Sequence, residues 1–404
     1  MKRNRRISAV AVLALAALVT GTGAGFAATT TPSATPVATD AFDTAPATAP
    51  ATAPTPSFHG TLPAPTGPYA AGEDVIHLTD ASRPDPWVPS SGPRRLTVTM
   101  VYPAVPGTGT PAPYMTLAEA AGVLQRQKLP ASYGVTPQNL SSVTTHAFDG
   151  ARPQHGEHPL VILSPAYEDP RMTLTSLATD LASHGYVVAL VGHTYEDSGE
   201  TLANGQTPPC AICDDPALDF DSVTAGRALD VSFVIDRLTH GDTAWPLAHL
   251  IDKHEIGMAG HSLGGAAAAT TMIADPRVRA GVNMDGTFHP APMPGQINRP
   301  FLMLGAAVNH APGGDDYTVW EQAWAALGGY KKWLTVAGAD HFSFSDLDLL
   351  LEEAGFPTPP FSPERGVVIT REYVTAFFDR TLKGIHSPLL DGPSPNNPEV
   401  VFQN

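Results

Sequence analysis

The sequence predicts an α/β domain in which a mostly parallel central sheet is covered by helices on both faces. Short apolar runs alternate with helical stretches from residue 96 onward, and this alternation is typical of a parallel sheet. The runs are continuously apolar, as expected for strands that are buried on both faces of a sheet. About 345 residues follow residue 57, which is enough chain for one large domain with a full core.

Each element can be placed from its apolar pattern and its boundary residues. We predict strands at 95–105, 158–165, 186–193, 254–262, 278–286, 299–308 and 331–340, the last of which completes the sheet, and helices at 172–185, 222–240, 263–274, 317–329 and 367–384. Gly384 is suited to end the closing helix. Two Pro- and Gly-rich segments, 106–157 and 194–221, interrupt the alternation, and both could rim or cover a functional site.

The N-terminus has the features of an export signal. Residues 1–27 combine a basic start, an apolar run too short to span a bilayer, and small side chains before the predicted cleavage point. We therefore expect a signal peptide that is cleaved after Ala27 and a secreted product. The pair Arg5 and Arg6 leaves the general and the twin-arginine export routes both open.

The composition changes sharply after the predicted signal peptide. Residues 28–57 are mostly Thr, Ala and Pro, and such a segment buries too little apolar surface to offset its ordering entropy. It is predicted to be a disordered linker. Larger apolar side chains return at Phe58, so the folded domain is expected to span 58–404.

The charge balance limits the partners of this chain. The sequence has 39 Asp and Glu against 23 Lys and Arg, and the predicted signal peptide carries four of the basic residues, so the mature charge is near −20. Such a charge repels phosphate backbones and anionic lipid surfaces. We expect a soluble extracellular monomer that binds no nucleic acid and does not insert stably into membranes.

The two cysteines of the chain, Cys210 and Cys213, are three residues apart in a Pro-rich segment. In an exported protein this spacing favours a local disulfide. A redox site would require the start of a helix after a strand, and a zinc site would require two further ligands. We therefore predict a structural disulfide, no metal site and no organic cofactor.

The segment from Gly260 to Gly264 reads G-x-S-x-G and lies between a predicted strand and a predicted helix. Strand, sharp turn and helix form the nucleophile elbow, in which a serine is exposed on a strained turn and bulky neighbours would clash. Ser262 is the predicted nucleophile. The N–H of Leu263, at the start of the following helix, is a predicted oxyanion donor.

A nucleophilic serine needs a histidine base, which in such chains follows the acid and the serine in sequence. His341 follows the strand predicted at 331–340, where a loop can present it above the sheet, and we favour it as the base. The alternatives are His289 and His310, in loops before that strand, and His386, beyond the closing helix. His261 is expected to pack within the elbow.

The acid that orients the base has two candidate positions. Asp285 ends the strand predicted at 278–286, and ligand sites of parallel sheets gather at the carboxyl ends of strands. We therefore favour Asp285. Asp315 and Asp316, in the loop after the next strand, are the alternatives, whereas Asp340 is too close to His341 to bind its far nitrogen. The second oxyanion donor is expected in the loop after the strand at 158–165, where Tyr167 N–H is the candidate.

Taken together, the segments LSPAYEDPRMTLTSLATDLASHGYVVALVGHTYEDS, GHSLGG, VNMDG and ADHFSFSD resemble the platelet-activating-factor acetylhydrolase-like and bacterial lipase–cutinase branch of the α/β-hydrolase fold. The resemblance covers about residues 95–385. In the acetylhydrolase branch it implies that Asp285 is the acid, His341 the base, and Tyr167 and Leu263 the oxyanion donors. The cutinase branch carries its acid one strand later, where this sequence reads AAVNHA.

The loop after the strand predicted at 158–165, which carries Tyr167 and is called the oxyanion loop below, departs from the pattern of both branches. Ala166 stands where glycine is usual, and Glu168 and Asp169 add negative charge. The resemblance implies a secreted serine esterase that acts on a small-molecule or lipid ester and hydrolyses short-chain acyl or acetyl esters through an acyl-enzyme on Ser262. The alternatives are a cutinase-type polyester hydrolase, a peptidase or acyltransferase on the same scaffold and, last, a non-catalytic exported binding protein.

Overall fold

The computed structural model describes residues 58–357 and 360–403. The predicted signal peptide, 1–27, and the predicted linker, 28–57, lie outside the described residues. The strands of the described part are β1 (Ala70–Pro84), β2 (Pro93–Ala104), β3 (Thr110–Pro111), β4 (Ala147–Asp149), β5 (His158–Ser164), β6 (Val187–His193), β7 (Ile251–His261), β8 (Val278–Met284), β9 (Phe301–Ala306), β10 (Lys331–Val336) and β11 (Val400–Phe402).

These strands form one mixed sheet in the order β11-β10-β9-β8-β7-β5-β6-β2-β1-β4-β3. The centre is parallel from β10 to β6, while β2 pairs antiparallel with β6 and with β1. The predicted α/β-hydrolase fold, with a mostly parallel sheet, is confirmed. In such a sheet the loops that follow the parallel strands meet at one edge.

The helices are α1 (Leu117–Gln127), α2 (Pro137–Ser141), α3 (Thr175–Ser183), α4 (Phe220–Thr239), α5 (Leu263–Ala274), α6 (Ala307–His310), α7 (Tyr317–Ala326), α8 (Leu347–Glu353) and α9 (Pro363–Leu382). Helices α4, α5 and α7 pack on one face of the sheet, and α3 and α9 pack on the other. Among the described residues, the helices include none with both the length and the apolar character needed to cross a membrane.

Alternating side chains of β5 supply both layers of the core. Leu160 and Ile162 pack under α4 and α5, whereas Val161 and Leu163 pack under α3 and α9, and all four are fully buried. Neither face of a strand covered on both sides contacts solvent, which is why this segment is a continuous apolar run.

Four strands near the two ends of the sheet, β1, β3, β4 and β11, were missed from the sequence. β1 was not predicted because every second residue in much of the strand is exposed, so it does not read as a continuous apolar run. The strand predicted at 331–340 was expected to complete the sheet, but β11 pairs antiparallel beyond it through only three residues. So short a segment carries little periodic signal.

The two segments that interrupt the alternation are fixed to the domain by a buried arginine. Arg171 Nη1 donates to Oε1 of Glu119, on α1, at 3.2 Å and to Oε2 of Glu200 at 2.7 Å. Segment 106–157 contains helices α1 and α2. The Arg171 guanidinium binds both this segment and segment 194–221. Burying this charge requires such partners, because an unpaired buried guanidinium would be strongly destabilising.

The turn from β7 into α5 packs backbone directly on backbone. A Cβ atom on Gly260 would lie 2.2 Å from the carbonyl carbon of Gly264 and 2.7 Å from the N atom of Gly265. None of these atoms belongs to a flexible side chain that could move away. The turn therefore tolerates only glycine at this position.

We predict that Gly260→Ala lowers the free energy of unfolding by about 3 kcal/mol, because the added methyl group overpacks this turn. Gly226→Ala is the matched control, since Gly226 lies inside α4 and a Cβ there meets nothing within 4 Å. It should raise the free energy of unfolding by about 0.5–1 kcal/mol. Urea unfolding of both variants measures the two effects, and equal tolerance of both substitutions would contradict the packing argument.

Candidate active site

The loops that follow three strands bring Ser262, Asp285 and His341 together. Ser262 follows β7, Asp285 follows β8, and His341 begins a short 3-10 helix after β10. Oγ of Ser262 lies 2.9 Å from Nε2 of His341, and Nδ1 of His341 lies 2.6 Å from Oδ2 of Asp285. The three side chains therefore form one continuous hydrogen-bonded chain with the connectivity needed for nucleophilic catalysis by serine.

Ser262 occupies a strained turn between β7 and α5. Its φ and ψ angles are 54° and −122°, a backbone conformation that residues with a side chain rarely adopt. Its N–H donates to the carbonyl of Met284 at 2.7 Å, and its own carbonyl accepts the N–H of Gly265 at 2.9 Å. The first bond anchors the turn to the end of β8 and the second to the start of α5, while Ser262 itself remains only half-buried.

Glycines allow three backbone segments to meet beside Ser262. A Cβ atom on Gly264 would lie 2.0 Å from the carbonyl oxygen of Ser164, and one on Gly286 would lie 2.0 Å from the carbonyl oxygen of Ser262. Neither position has room for a side chain. The loop after β5, the elbow and the loop after β8 consequently touch through backbone atoms.

Asp285 is buried, and its two carboxylate oxygens have different partners. Oδ2 faces His341, whereas Oδ1 accepts the N–H of Ala306 at 2.6 Å and lies 3.1 Å from Nε2 of His310. The backbone of Asp285 has a positive φ of 58°, and its N–H donates to the carbonyl of Leu304 at 2.8 Å. The carboxylate is thus fixed by β9 as well as by β8.

His310 is a neighbour of Asp285 that the sequence pattern did not reveal. It ends α6, is fully buried, and stacks on the indole of Trp320 with ring centroids 3.8 Å apart. Neither ring nitrogen forms a well-aligned hydrogen bond with another described residue, so the contact with Asp285 is electrostatic. No local motif marks this histidine, because its partner lies 25 positions earlier in the chain.

The electrostatics of the site favour an ionised Asp285 and a basic His341. Burial would raise the pKa of Asp285, but the neighbouring His310 and His341 hold it well below its usual range. Burial would lower the pKa of His341, but the hydrogen bond and the charge of Asp285 raise it above the ordinary value, and Asp169 contributes in the same direction. The imidazole is therefore a better proton acceptor than an unperturbed histidine.

His261, which we expected to pack within the elbow, contacts the main chain of His341. Its Nε2 lies 2.6 Å from the carbonyl oxygen of His341, and the two rings are 4.8 Å apart. Because a carbonyl only accepts, Nε2 of His261 carries the proton. Burial and the nearby His341 lower the pKa of His261 to about 3, so this ring is neutral and supports the loop that carries His341.

The two predicted oxyanion donors lie on segments that flank Ser262. Leu263 is the first residue of α5, so its N–H has no partner within the helix. Tyr167 lies in the loop after β5, and its side chain belongs with that of Leu263 to one apolar cluster, which also includes Phe220 and Ile212. Their roles as oxyanion donors stay predictions.

The expected disulfide between Cys210 and Cys213 is present and closes a short loop next to the site. The carbonyl of Ile212, inside this loop, accepts the hydroxyl of Tyr167 at 2.7 Å. Arg126, on α1, donates to the carbonyl of Cys213 at 3.3 Å. Parts of both irregular segments, 106–157 and 194–221, are thereby connected next to the oxyanion loop.

The oxyanion loop carries less free charge than its sequence suggests. Arg126 forms an ion pair of 3.1 Å with Glu168, whose side chain is 9% exposed. Burial raises the pKa of Asp169 to about 7, although the nearby His341 opposes the shift. Pairing of Glu168 and burial of Asp169 therefore weaken the negative charge that these two residues add to the loop.

A second serine–histidine–aspartate chain lies behind the oxyanion loop, and no sequence motif marks it. Oγ of Ser164 lies 3.0 Å from Nε2 of His193, and Nδ1 of His193 lies 2.8 Å from Oδ2 of Asp230. Ser164 is fully buried, and the His193 and Asp230 side chains are at most 1% exposed. It has the same connectivity as the Ser262 chain but lies inside the protein.

His193, Glu196 and Asp230 are also close enough together to suggest a metal site. Guanidinium groups already satisfy these carboxylates, because Arg94 forms a 2.7 Å ion pair with Asp230 and Arg227 a 2.7 Å ion pair with Glu196. The positive charge that a cation would supply is thus provided by side chains. The cluster is an ion-pair network within the core.

Known proteins resemble this chain in a consistent way. The sequence profile of platelet-activating factor acetylhydrolase, isoform II, matches residues 237–354. A probable 1-alkyl-2-acetylglycerophosphocholine esterase from Arthroderma benhamiae is 28% identical over 384 residues, which cover 84% of this chain and 93% of that protein. The platelet-activating factor acetylhydrolase of Bos taurus is 26% identical over 178 residues, which cover 37% of this chain and 40% of that protein.

Among solved structures, a ferulic acid esterase from Streptomyces cinnamoneus is similar in both sequence and fold. The two chains are 40% identical, the match covers 85% of this chain and 99% of the other, and the TM-score is 0.76. The chain is an esterase of the α/β-hydrolase fold that is similar to platelet-activating factor acetylhydrolase. The resemblance inferred from the sequence is confirmed.

In this acetylhydrolase-like esterase, the alternative base His310 contacts Oδ1 of Asp285, the carboxylate oxygen that does not face His341. Four other candidates, Asp340, Asp316, His289 and His386, have partners outside the Ser262–His341–Asp285 chain. Asp340 caps the 3-10 helix that His341 begins, accepting the N–H of Phe342 at 3.0 Å. Asp316 accepts a hydrogen bond from Thr287. A ring nitrogen of His289 lies 3.3 Å from Asp221, and one of His386 lies 2.9 Å from Asp391. The carboxylate that reaches His341 Nδ1 is that of Asp285.

We predict that the pKa of His341 in this esterase lies above the ordinary histidine value and falls in Asp285→Asn. The substitution removes the carboxylate charge, so the opposing effect of burial then dominates. Asp315→Asn, in the loop that carries the alternative acids, is the control and should leave the pKa of His341 unchanged. NMR titration of the histidine ring protons measures both effects. A pKa that responds to Asp315 and not to Asp285 would assign the acid to the later loop.

Proposed function

We propose that this esterase hydrolyses carboxylic esters through an acyl-enzyme intermediate on Ser262. In this proposal His341 is the general base and acid, Asp285 orients the imidazole, and the N–H groups of Tyr167 and Leu263 stabilise the oxyanion. The observation that carries the proposal is the hydrogen-bonded chain from Ser262 Oγ through His341 to the buried Asp285.

Exposure favours Ser262 over Ser164 as the nucleophile. Both hydroxyls contact a histidine that in turn contacts an aspartate, so connectivity does not separate them. Ser164 is fully buried, whereas Ser262 is half-buried and the side chain of His341 is 21% exposed. An ester must reach the attacking oxygen, and of these two serines only Ser262 is accessible to it.

The proposed reaction has two halves. In the first, His341 accepts the proton of Ser262 as Oγ bonds to the ester carbonyl carbon, and the imidazolium then protonates the leaving alcohol as its C–O bond breaks. In the second, His341 deprotonates a water molecule, which attacks the acyl-enzyme and releases the acid as Oγ regains its proton. Asp285, with its lowered pKa, stays ionised and stabilises the imidazolium throughout.

We propose compact acyl groups as the substrate class, with acetyl and other short acyl esters first. The Arthroderma benhamiae relative is named for an acetyl ester of a glycerophosphocholine, which supports this choice. An aromatic acyl ester is the second candidate, because the Streptomyces cinnamoneus structure is that of a ferulic acid esterase. The apolar cluster around Leu263 contains Tyr167, Phe220 and Trp87, and so offers aromatic surface for such a group.

We also propose that the enzyme is exported and acts as a monomer. Export is supported by the predicted signal peptide, residues 1–27, and by the disulfide between Cys210 and Cys213. Disulfides form and persist mainly in oxidising compartments outside the cytosol. N-terminal sequencing of the mature protein tests cleavage after Ala27, and sedimentation analysis tests the monomer.

We predict that Ser262→Ala lowers kcat for p-nitrophenyl acetate by about 10⁶-fold, because the nucleophile is removed. A fluorophosphonate probe should label the unaltered enzyme once, and peptide mass mapping should place the adduct on Ser262. Ser142→Ala is the control, since Ser142 is an exposed serine whose hydroxyl donates to the carbonyl of Asn139. Its activity and labelling should be unchanged.

Three outcomes of this experiment would contradict the proposed function. Retention of a tenth of the activity by Ser262→Ala would remove Ser262 as the nucleophile. An adduct on Ser164 would assign the reaction to the second serine–histidine–aspartate chain. Failure of the unaltered enzyme to react with the probe would favour a non-catalytic protein.

We predict that acetate and butyrate esters of p-nitrophenol are hydrolysed with kcat/KM at least tenfold higher than the palmitate ester. A short acyl chain fits the compact-acyl proposal, and a difference of about 1.4 kcal/mol in transition-state stabilisation corresponds to a tenfold difference in kcat/KM. Methyl ferulate tests the aromatic alternative in the same assay. An optimum at long emulsified chains would exclude both proposals and indicate a lipase.

A further inference from the structure

We propose that Arg227 is a positioning residue that aims the N–H of Tyr167 at the oxyanion. This inference rests on the proposed function, in which Tyr167 supplies one of two oxyanion donors to an acyl-enzyme reaction. Arg227 would act through the backbone of the loop after β5 and would not bind the ester. Its contacts, its burial and the geometry of the peptide bond lead to this role.

Arg227 projects from α4 and donates to the last residue of β5 and to the first two residues of the loop that follows it. Nη1 donates to the carbonyl of Pro165 at 2.5 Å and to Oγ of Ser164 at 3.2 Å, and Nη2 donates to the carbonyl of Ala166 at 3.4 Å. A guanidinium only donates, so the loop can present only acceptors to it. Arg227 is 1% exposed, and water cannot readily replace these bonds.

The direction of these carbonyls determines where the N–H of Tyr167 points. The peptide between Ala166 and Tyr167 is trans, so the carbonyl of one residue and the N–H of the next point in opposite directions. With the Ala166 carbonyl turned toward Arg227, the Tyr167 N–H is turned away from it. If the peptide rotated, Arg227 would be deprived of the acceptor that it requires and the oxyanion donor would turn away.

The same loop lies against the N-terminus of α5, which carries the other proposed donor. A Cβ atom on Gly264 would lie 2.6 Å from the carbonyl oxygen of Pro165, so no side chain separates the two segments. The side chains of Tyr167 and Leu263 share one apolar cluster. Arg227 therefore fixes one donor relative to a helix end that fixes the other.

Arg227 is itself held in place by Glu196. Nε of Arg227 donates to Oε2 of Glu196 at 2.7 Å, and Oε1 of Glu196 accepts the indole N–H of Trp87 at 3.0 Å. Both partners of the ion pair are at most 2% exposed. Two nitrogens of the guanidinium remain for the loop, and their directions are fixed because the group is planar.

The buried Ser164–His193–Asp230 chain completes this arrangement. Burial and the charge of Arg227 lower the pKa of His193, so its ring is neutral, with the proton on Nδ1 facing Asp230. Nε2 then accepts the hydroxyl proton of Ser164. The oxygen of Ser164 is left as an acceptor for Arg227, and this second chain contributes to positioning the loop.

Three variants separate positioning from folding. Arg227→Lys keeps the charge beside Glu196 but replaces the planar fork with one nitrogen, which cannot hold both carbonyls in the same directions. Arg227→Gln combined with Glu196→Gln removes both buried charges and leaves neither unpaired. Arg277→Lys is the control, because Arg277 bridges Asp275 and Asp236 beyond the far end of α5, a helix about 18 Å long.

The measurements are kcat and KM for p-nitrophenyl acetate, with active sites counted by end-point titration with a fluorophosphonate. Both Arg227 variants should show kcat per active site reduced by about 10² to 10³, the effect of removing one oxyanion donor, while KM changes by less than about threefold. A trifluoromethyl ketone, which forms a tetrahedral oxyanion on the serine, should bind more weakly by a similar factor. Arg277→Lys should keep all three quantities within about threefold.

A purely structural role would give a different pattern. The number of active sites would then fall while kcat per site and the affinity of the ketone stayed within about threefold of the unaltered enzyme, and this outcome would overturn the proposal. An effect confined to KM would overturn it as well. These outcomes are distinct from a failure of the proposed function, which would appear as activity in Ser262→Ala or as absence of labelling in the unaltered enzyme.

Discussion

The backbone around Ser262 packs directly on the loops after β5 and β8, and the geometry of the candidate site depends on this packing. Glycines at 260, 264 and 286 leave no room for a Cβ atom, so the segments meet at the distance of bare peptide groups. Ser262 and Asp285 both adopt positive φ angles at this point. Such strain persists only where the surroundings fix the chain, and here the hydrogen bonds of both residues to neighbouring strands do so.

Behind this backbone contact lies a cluster of ion pairs. Asp85, Glu196 and Asp230 face the buried Arg94 and Arg227 and the half-buried Arg83, which also pairs with Asp80. Burying so many ions costs desolvation energy, and a hydrophobic replacement could be equally stable. Directional hydrogen bonds are what the ions add, since Arg94 also donates to the carbonyl of Thr194 at 2.7 Å and Arg227 to those of the oxyanion loop. An apolar core could not orient those carbonyls.

The local parts of this architecture could be predicted from the sequence, and the non-local parts could not. Ser262 stands in a five-residue motif between a strand and a helix, and Asp285 and His341 directly follow apolar strands, so each could be located from its immediate neighbours. Locating them required no knowledge of what packs against them. The family resemblance also followed from contiguous segments, and the comparisons confirm it.

Arg227 and His310 carry no such local signal. Arg227 lies in an amphipathic helix and looks like any other charged helix residue until α4 is placed beside the loop 62 positions earlier. His310 stands in a Pro- and Gly-rich segment where the apolar pattern ends, and only the packing of β8 against β9 brings it to Asp285. Strand β1 was missed for a different reason, because its half-exposed pattern does not match the continuously apolar strands used to recognise the sheet.

Two serine–histidine–aspartate chains in one domain show that connectivity alone does not define a nucleophile. In the buried chain, Arg227 donates to the Ser164 oxygen, and a positive charge at hydrogen-bond distance withdraws the electron pair that an attack would need. In the Ser262 chain, the oxygen faces His341, Ser262 is only half-buried, and the next residue, Leu263, begins α5 with an N–H that has no partner within the helix. The same three residue types can therefore hold a loop in one place and, as we propose, cleave an ester in the other.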